Sequence, residues 1–368
     1  MKEINNIIIL GGGAAGFMTA ATLLNEFPNK KITLIESPNV PTIGVGESTI
    51  GGIKSWAKLL NIDDKDFLKH TDGSYKLSIK FTDFYEKGKS FHYPFGEPYL
   101  KDNKSLLNDW WFKKFIYPKT DNSDYADSHF SQMALVNENK FFYNENNEIP
   151  FDFNKNTAYH FDATKFAHWL KNIFCLPKGL NYIAEDILSI EQDENGIKSL
   201  NNKYNADLFI DCTGFKSLLL GETLKEPFES YSDLLPNNSA WATRIPYADK
   251  EKELVTYTNC TAIENGWVWN IPLWSRIGTG YVYSDKFIND KDALIQFKKY
   301  LVKINLIKNI SCERLEFKNI KIKVGIHKRL WVKNVCAIGL AAGFIEPLES
   351  NGLFSVHEFL IRLIRNLQ

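Results

Sequence analysis

A glycine turn between a β-branched strand and a helix, two later apolar strands ending in small residues, and an aromatic-rich middle together predict an α/β fold with α+β elements. Its frame is a Rossmann-type domain, discontinuous in sequence, that accepts an inserted mixed β-sheet region. The glycine turn is Gly11-x-Gly13-x-x-Gly16, and it follows Ile7, Ile8, Ile9 and Leu10. The first 36 residues then read as a βαβ unit, with a helix ended near Pro28 and a second strand from Ile32 to Ile35. The middle alternates short aromatic strands with Asn, Asp and Gly turns, as at Phe141-Phe142-Tyr143 before Asn144, and shows no internal repeat. The two later strands run from Ala206 to Asp211 and from Val335 to Gly339. Small residues at such strand ends let backbone come close to a bound cofactor. At the end Val356, Phe359, Leu360, Leu363, Ile364 and Leu367 recur at helical spacing, so residues 356–368 are expected to start a helix still running at Gln368. An element capping that helix is expected to be lost or absent.

Composition narrows the class of protein. The chain has 368 residues with 44 Lys+Arg against 44 Asp+Glu, a balance that points away from nucleic-acid or anionic-membrane surfaces and toward a small neutral or mixed-charge ligand. Cys175, Cys212, Cys260, Cys312 and Cys336 show no C-x-x-C spacing, which argues against a disulfide framework or a metal site and for the reducing cytoplasm. The apolar run from Ile7 to Leu24 could imitate a targeting segment, but three consecutive glycines, Gly11 to Gly13, make it a strand-turn-helix instead.

That context turns a weak glycine pattern into a specific one. The turn lets a pyrophosphate approach the helix N-terminus, whose free amides and dipole meet its charge. Glu36 lies 20 residues past Gly16, where a carboxylate accepts from a ribose hydroxyl and disfavours a 2′-phosphate. Glycines that merely pack helix on strand are the plainer alternative. A chain using both FAD and NADPH through such units would show two fingerprints, and this one shows one. The ends Asp211-Cys212-Thr213-Gly214 and Ile338-Gly339-Leu340 suit a cofactor that reaches across the sheet, which favours FAD.

Three further segments carry chemistry. In Gly266-Trp267-Val268-Trp269-Asn270-Ile271-Pro272 the two tryptophans share one strand face, which by itself is equally compatible with core packing. Gly44-Val45-Gly46-Glu47-Ser48-Thr49 is followed by Tyr75-Lys76-Leu77-Ser78-Ile79-Lys80-Phe81. Strand alternation puts Lys76 and Lys80 on the same face, so pattern alone does not separate them. Gly343-Phe344-Ile345-Glu346-Pro347-Leu348-Glu349-Ser350-Asn351-Gly352 reads as a helix N-terminus begun after Pro347. With Tyr159-His160-Phe161-Asp162 and Gly280-Tyr281-Val282-Tyr283-Ser284, these segments resemble the flavin-dependent halogenases, from about residue 6 to residue 364.

The resemblance implies the FAD-binding fold of the flavin monooxygenase and halogenase type. It assigns residues 1–90, 155–220 and 325–355 to the FAD-binding domain, and 91–154 and 221–324 to the substrate region. Cofactor contacts are expected at Gly11, Gly13, Ala14, Ala15, Gly16, Glu36 and Ser37, and further on at Glu47, Ser48, Ile187, Gly214, Gly339, Leu340 and Leu353. Lys76, Glu349 and Ser350 take catalytic roles, and Trp267 and Trp269 line a channel. Halide falls to Asn351 and Gly352. Asparagine here replaces the family's threonine, which puts halide preference in doubt and shifts the expectation from chloride toward bromide or iodide. Substrate contacts fall to Tyr93, Phe95 and Glu349, with Tyr93 standing where tryptophan halogenases have histidine. Those enzymes also continue beyond the point where this chain ends, and that tail helps enclose the indole.

The implied activity is halogenation of an electron-rich aromatic, indole-like or phenol-like. It uses halide, O2 and FADH2 from a separate flavin reductase, with no metal, nucleic acid or membrane involved. The alternatives are a single-component FAD-dependent aromatic monooxygenase, which would need NADPH but not Lys76 or Glu349, and an inactive flavin-binding module.

Overall fold

The computed structural model describes residues 3–40, 44, 47–98, 107–140, 152, 156–304, 306 and 314–368. The Phe141–Tyr143 segment, Val45, Gly46 and Cys312 fall outside the described residues.

Two large sheets frame the molecule. The first has six strands in the order Trp331–Val332, Val335–Ala337, Leu208–Asp211, Asn6–Leu10, Lys31–Glu36, Asn181–Ala184, and all but the Trp331–Val332 edge run parallel. Ile9 faces Ile210 on one side and Leu34 on the other. A parallel strand covered on both faces reads as an unbroken apolar run, which is why Ile7 to Leu10 are all buried. The helix Ala14–Glu26 packs its Phe17, Met18, Ala20 and Ala21 into this core.

The second sheet has seven strands, in the order Lys318–Lys321, Ser239–Ile245, Ile277–Tyr283, Gly266–Pro272, Tyr257–Ile263, Ser78–Thr82, Ser90–Pro94. It is antiparallel except where Tyr257–Ile263 runs parallel to Ser78–Thr82. Residues 78–82 and Ser90, placed by sequence with the cofactor domain, therefore pair into this other sheet. A small third sheet joins Glu47–Ser48, Ala158–Phe161 and Ser74–Lys76.

The chain divides between sheets at Leu77, and this corrects the expectation that Lys76 and Lys80 share a face. Leu77 lies between the strands Ser74–Lys76 and Ser78–Thr82, donates its amide to Thr256 O at 2.7 Å and accepts from Phe95 N at 3.0 Å, and so already turns toward the second sheet. Lys76 ends one strand and is fully buried, whereas Lys80 sits in the next, half-buried, with its amine 5.7 Å from the Tyr257 ring centre. Alternation does not survive a change of ladder.

Two other boundaries move. The strand expected to run to Gly339 stops at Ala337, and Gly339 opens a short 3₁₀ turn at φ +69°. The last helix spans Gly352–Leu367. It starts neither just after Pro347 nor at 356, because Ser350 holds φ +61°, a left-handed conformation that no α-helical residue adopts. Among the described residues no helix is long and apolar enough to cross a membrane.

Candidate active site

A cavity of about 570 Å³ lies between the two large sheets. Gly11, Gly13, Ala14, Ala15, Glu36 and Ser37 line it at the nucleotide-type end. Ile187, Gly214, Gly339, Leu340, Leu353, Glu47 and Ser48 continue the wall toward Trp267 and Trp269. Gly16 alone among the expected cofactor contacts does not line it. A Cβ at Gly16 would run into the carbonyl of Gly11, so this glycine lets helix and strand approach rather than touching a ligand.

The cavity fits a dinucleotide on the observations at its end. Gly13 is the N-cap of Ala14–Glu26 and supplies no side-chain cap, which leaves first-turn amides for a bound anion. A Cβ at Gly13 would meet nothing within 4 Å, so the backbone faces open space. Glu36 sits over the turn with Oε2 accepting from the Tyr182 hydroxyl at 2.7 Å. Deeper in, burial pushes the Glu47 carboxyl up to about 7, and the charge of Asp162 adds to the effect.

Lys76 stands behind the cavity wall. Its Nζ donates to Thr49 O at 2.9 Å and to Ser350 Oγ at 3.1 Å, and the Phe95 ring centre lies 4.9 Å away. Burial pushes its amine down to about 7, against a small opposing pull from the Cys260 thiol. The Ser350 hydroxyl donates to Ser48 Oγ at 3.0 Å, and both serines line the cavity. The amine is thus one hydroxyl away from the cavity on one side and against an aromatic ring on the other.

Not every expected residue joins this group. Glu349 is exposed and does not line the cavity. The more enclosed carboxylate of the segment is Glu346, half-buried, which accepts from Trp267 Nε1 at 2.9 Å and Leu348 N at 2.8 Å, and whose pKa desolvation raises. Trp267 is therefore aimed by a hydrogen bond as well as packed, and its ring centre lies 6.1 Å from that of Trp269. Tyr93 is 53% exposed, in contrast to the buried Phe95. Gly352, at the N-terminus of the last helix, lines the cavity, while Asn351 does not.

Sequence reasoning did not single out Glu346, Thr258 or His160, which the structure brings to the site. Thr258 and His160 meet at 2.8 Å across 98 positions of chain, a contact that no local pattern signals. Among the described residues no cluster of three or more His, Cys, Asp or Glu could hold a metal ion.

Comparison with known proteins agrees across nearly the whole chain. The family profile described as Tryptophan halogenase matches residues 6–368. The tryptophan 6-halogenase ThaL of Streptomyces albogriseolus is 33% identical over 99% of this chain and 70% of its own length. The structure titled VirX1 apo is 40% identical with a TM-score of 0.91, covering 99% of this chain and 70% of that one. The tryptophan 6-halogenase SttH from Streptomyces toxytricini superposes with a TM-score of 0.85 at 31% identity, over 98% of this chain and 71% of its own.

Proposed function

This chain belongs to the tryptophan halogenase family, and from that premise we propose that Lys76 delivers oxidised halogen to an indole such as that of tryptophan. It is a flavin-dependent halogenase of the α/β class that uses FADH2, halide and O2 on a small electron-rich aromatic substrate. A separate flavin reductase in the cytoplasm would supply the reduced cofactor, in keeping with the single nucleotide fingerprint.

When bound, reduced FAD supplies the oxidation of halide by O2 to the hypohalous level. The residues named above as lining the cavity would hold it, with Gly13 and the helix amides on the pyrophosphate and Glu36 on the ribose. Trp267 and Trp269 would wall the passage, and Asn351 and Gly352 would receive the halide at the positive end of the last helix.

Lys76 would take up the hypohalous acid by hydrogen bonding, or as a haloamine in which an N–halogen bond forms and water leaves. Its lowered pKa favours the neutral amine that either role needs. Ser350 orients the amine. On the far side, Phe95 and Tyr93 would hold the indole, and the carboxylate of Glu349 would stabilise the ring cation and take its proton. The observation that carries this reading is the place of Lys76: fully buried, bonded to a serine of the cavity wall, and faced by Phe95.

The test is halogenated product, measured by mass spectrometry with FAD, a flavin reductase and each halide, using tryptophan and other indoles. Lys76→Ala should abolish product while the protein still binds FAD and reduced flavin still consumes oxygen. Lys80→Ala, in a different ladder, should be far milder. Product from Lys76→Ala near the wild-type rate, with flavin bound, would overturn the assignment.

A further inference from the structure

We propose that His160 is a positioning residue for Lys76, acting through a one-way chain of hydroxyl groups that keeps one valence of the lysine nitrogen open. The inference rests on the reading of Lys76 given above and adds to it a residue from the strand paired with that of Lys76.

The direction of the chain follows from its far end. Ser74 Oγ donates to Pro272 O at 2.9 Å. A carbonyl only accepts and a hydroxyl has one proton, so Ser74 has none left for His160, whose Nδ1 lies 3.4 Å from the same oxygen. The ring therefore carries its proton on Nδ1. His160 is fully buried, and that burial holds its pKa well below the ordinary value. A neutral ring protonated on Nδ1 can only accept at Nε2. Thr258 Oγ1, 2.8 Å away, must be the donor.

Each next step is then forced. The Thr258 proton is committed to His160, so Ser48 donates to Thr258 across 2.6 Å. The Ser48 proton is committed in turn, so Ser350 donates to Ser48 at 3.0 Å. Ser350 Oγ is left to accept, and it accepts from Lys76 at 3.1 Å. The other hydrogen bond of Lys76 goes to Thr49 O at 2.9 Å, which also only accepts.

Both N–H groups of the neutral amine are thereby pointed at acceptors with no proton to return. Its lone pair is the valence left over. Run the other way, the chain would turn the Ser350 proton onto that lone pair and block it. The acceptor at His160 Nε2 decides which of the two arrangements forms. His160, Thr258, Ser74 and Ser350 are all buried, and Ser48, half-buried, joins them at the cavity wall.

Thr258→Val is the sharpest variant, since it keeps the shape of the side chain and removes only the link. It should lower halogenated product per O2 consumed by about tenfold, the worth of one hydrogen bond of ordinary strength. The loss should fall on kcat rather than on KM for the indole, with the balance of oxidant escaping as hypohalous acid to an added β-diketone trap. Thr258→Ser, which restores a hydroxyl, should restore coupling. His160→Gln, whose amide oxygen can accept from Thr258, should retain more product than His160→Leu. FAD affinity measured by flavin fluorescence identifies any variant that is damaged more broadly.

Wild-type coupling in both Thr258→Val and His160→Leu would overturn the proposal while leaving Lys76 in place, provided Lys76→Ala is dead in the same assay. A Thr258→Ser variant as poor as Thr258→Val would also overturn it, because packing rather than the hydroxyl would then be responsible. An active Lys76→Ala would instead remove the premise.

Discussion

An amine enclosed by protein, with a carbonyl and a hydroxyl as its partners, gives up its proton more readily than one in water. At Lys76 this moves the pKa from 10.5 to about 7, and the shift carries a cost in stability with a definite sign. The unfolded chain holds the proton up to the ordinary value, whereas the folded chain releases it near 7. Between these limits the unfolded state binds more protons, so this residue makes stability rise with pH, by up to about 1.4 kcal/mol per unit. Below about 7 both states are protonated and the penalty is constant. Lys76→Met should therefore unfold at higher urea than wild type at neutral pH, and the gap should narrow as pH rises toward 10.5. A gap independent of pH across that window would show that the amine is not held neutral. Halogenation, if it needs the free amine, should rise through the same pKa.

At the scale of elements, the site depends on where regular structure stops. The break at Leu77 separates two lysines that alternation would have placed together, and the turn Pro347–Ser350, closed by Ser350 N to Pro347 O at 2.9 Å, delays the last helix to Gly352. Ser350 holds φ +61°, a conformation that costs a non-glycine residue about 1 kcal/mol or more, and its hydroxyl joins the cavity wall to Lys76. Strain at such a position persists when the surroundings determine it. Ser350→Gly and Ser350→Ala should both lose halogen transfer, since both lack the hydroxyl. Glycine relieves the strain, so Ser350→Gly should be the more stable of the two by about 1 kcal/mol, read from chemical denaturation. Equal stability of the two variants would mean that the left-handed turn is not present in solution.

For the whole molecule, the cavity is walled by both large sheets, so a ligand filling it should tie them together. FAD at 100 times its Kd should add about 2.7 kcal/mol to stability by mass action and raise the thermal midpoint, and it should do so in a single transition. NADPH alone should neither raise the midpoint to the same degree nor bleach the bound flavin in stopped flow, because the chain carries one nucleotide fingerprint. Rapid bleaching by NADPH without a reductase would favour the monooxygenase chemistry instead.

The sequence by itself determined the elements whose signals are local. The glycine turn could be placed because strand, turn and helix follow one another within a few residues, and Gly11, Gly13 and Glu36 do line one end of the cavity. The motif around Trp267 and the lysine-bearing segment were legible for the same reason, as contiguous residues. Only the tertiary structure decided which lysine is buried, because the choice rests on which ladder each strand joins, and the partners Ala158–Phe161 and Tyr257–Ile263 lie far along the chain. It likewise decided that Glu349 is exposed while Glu346 is half-buried and bonded to Trp267, and that His160 and Thr258 stand in line with Lys76. Hydrogen bonds between residues some 100 to 300 positions apart leave no periodicity to read. Their geometry exists only once strands of two sheets and the turn before the last helix have packed around one amine.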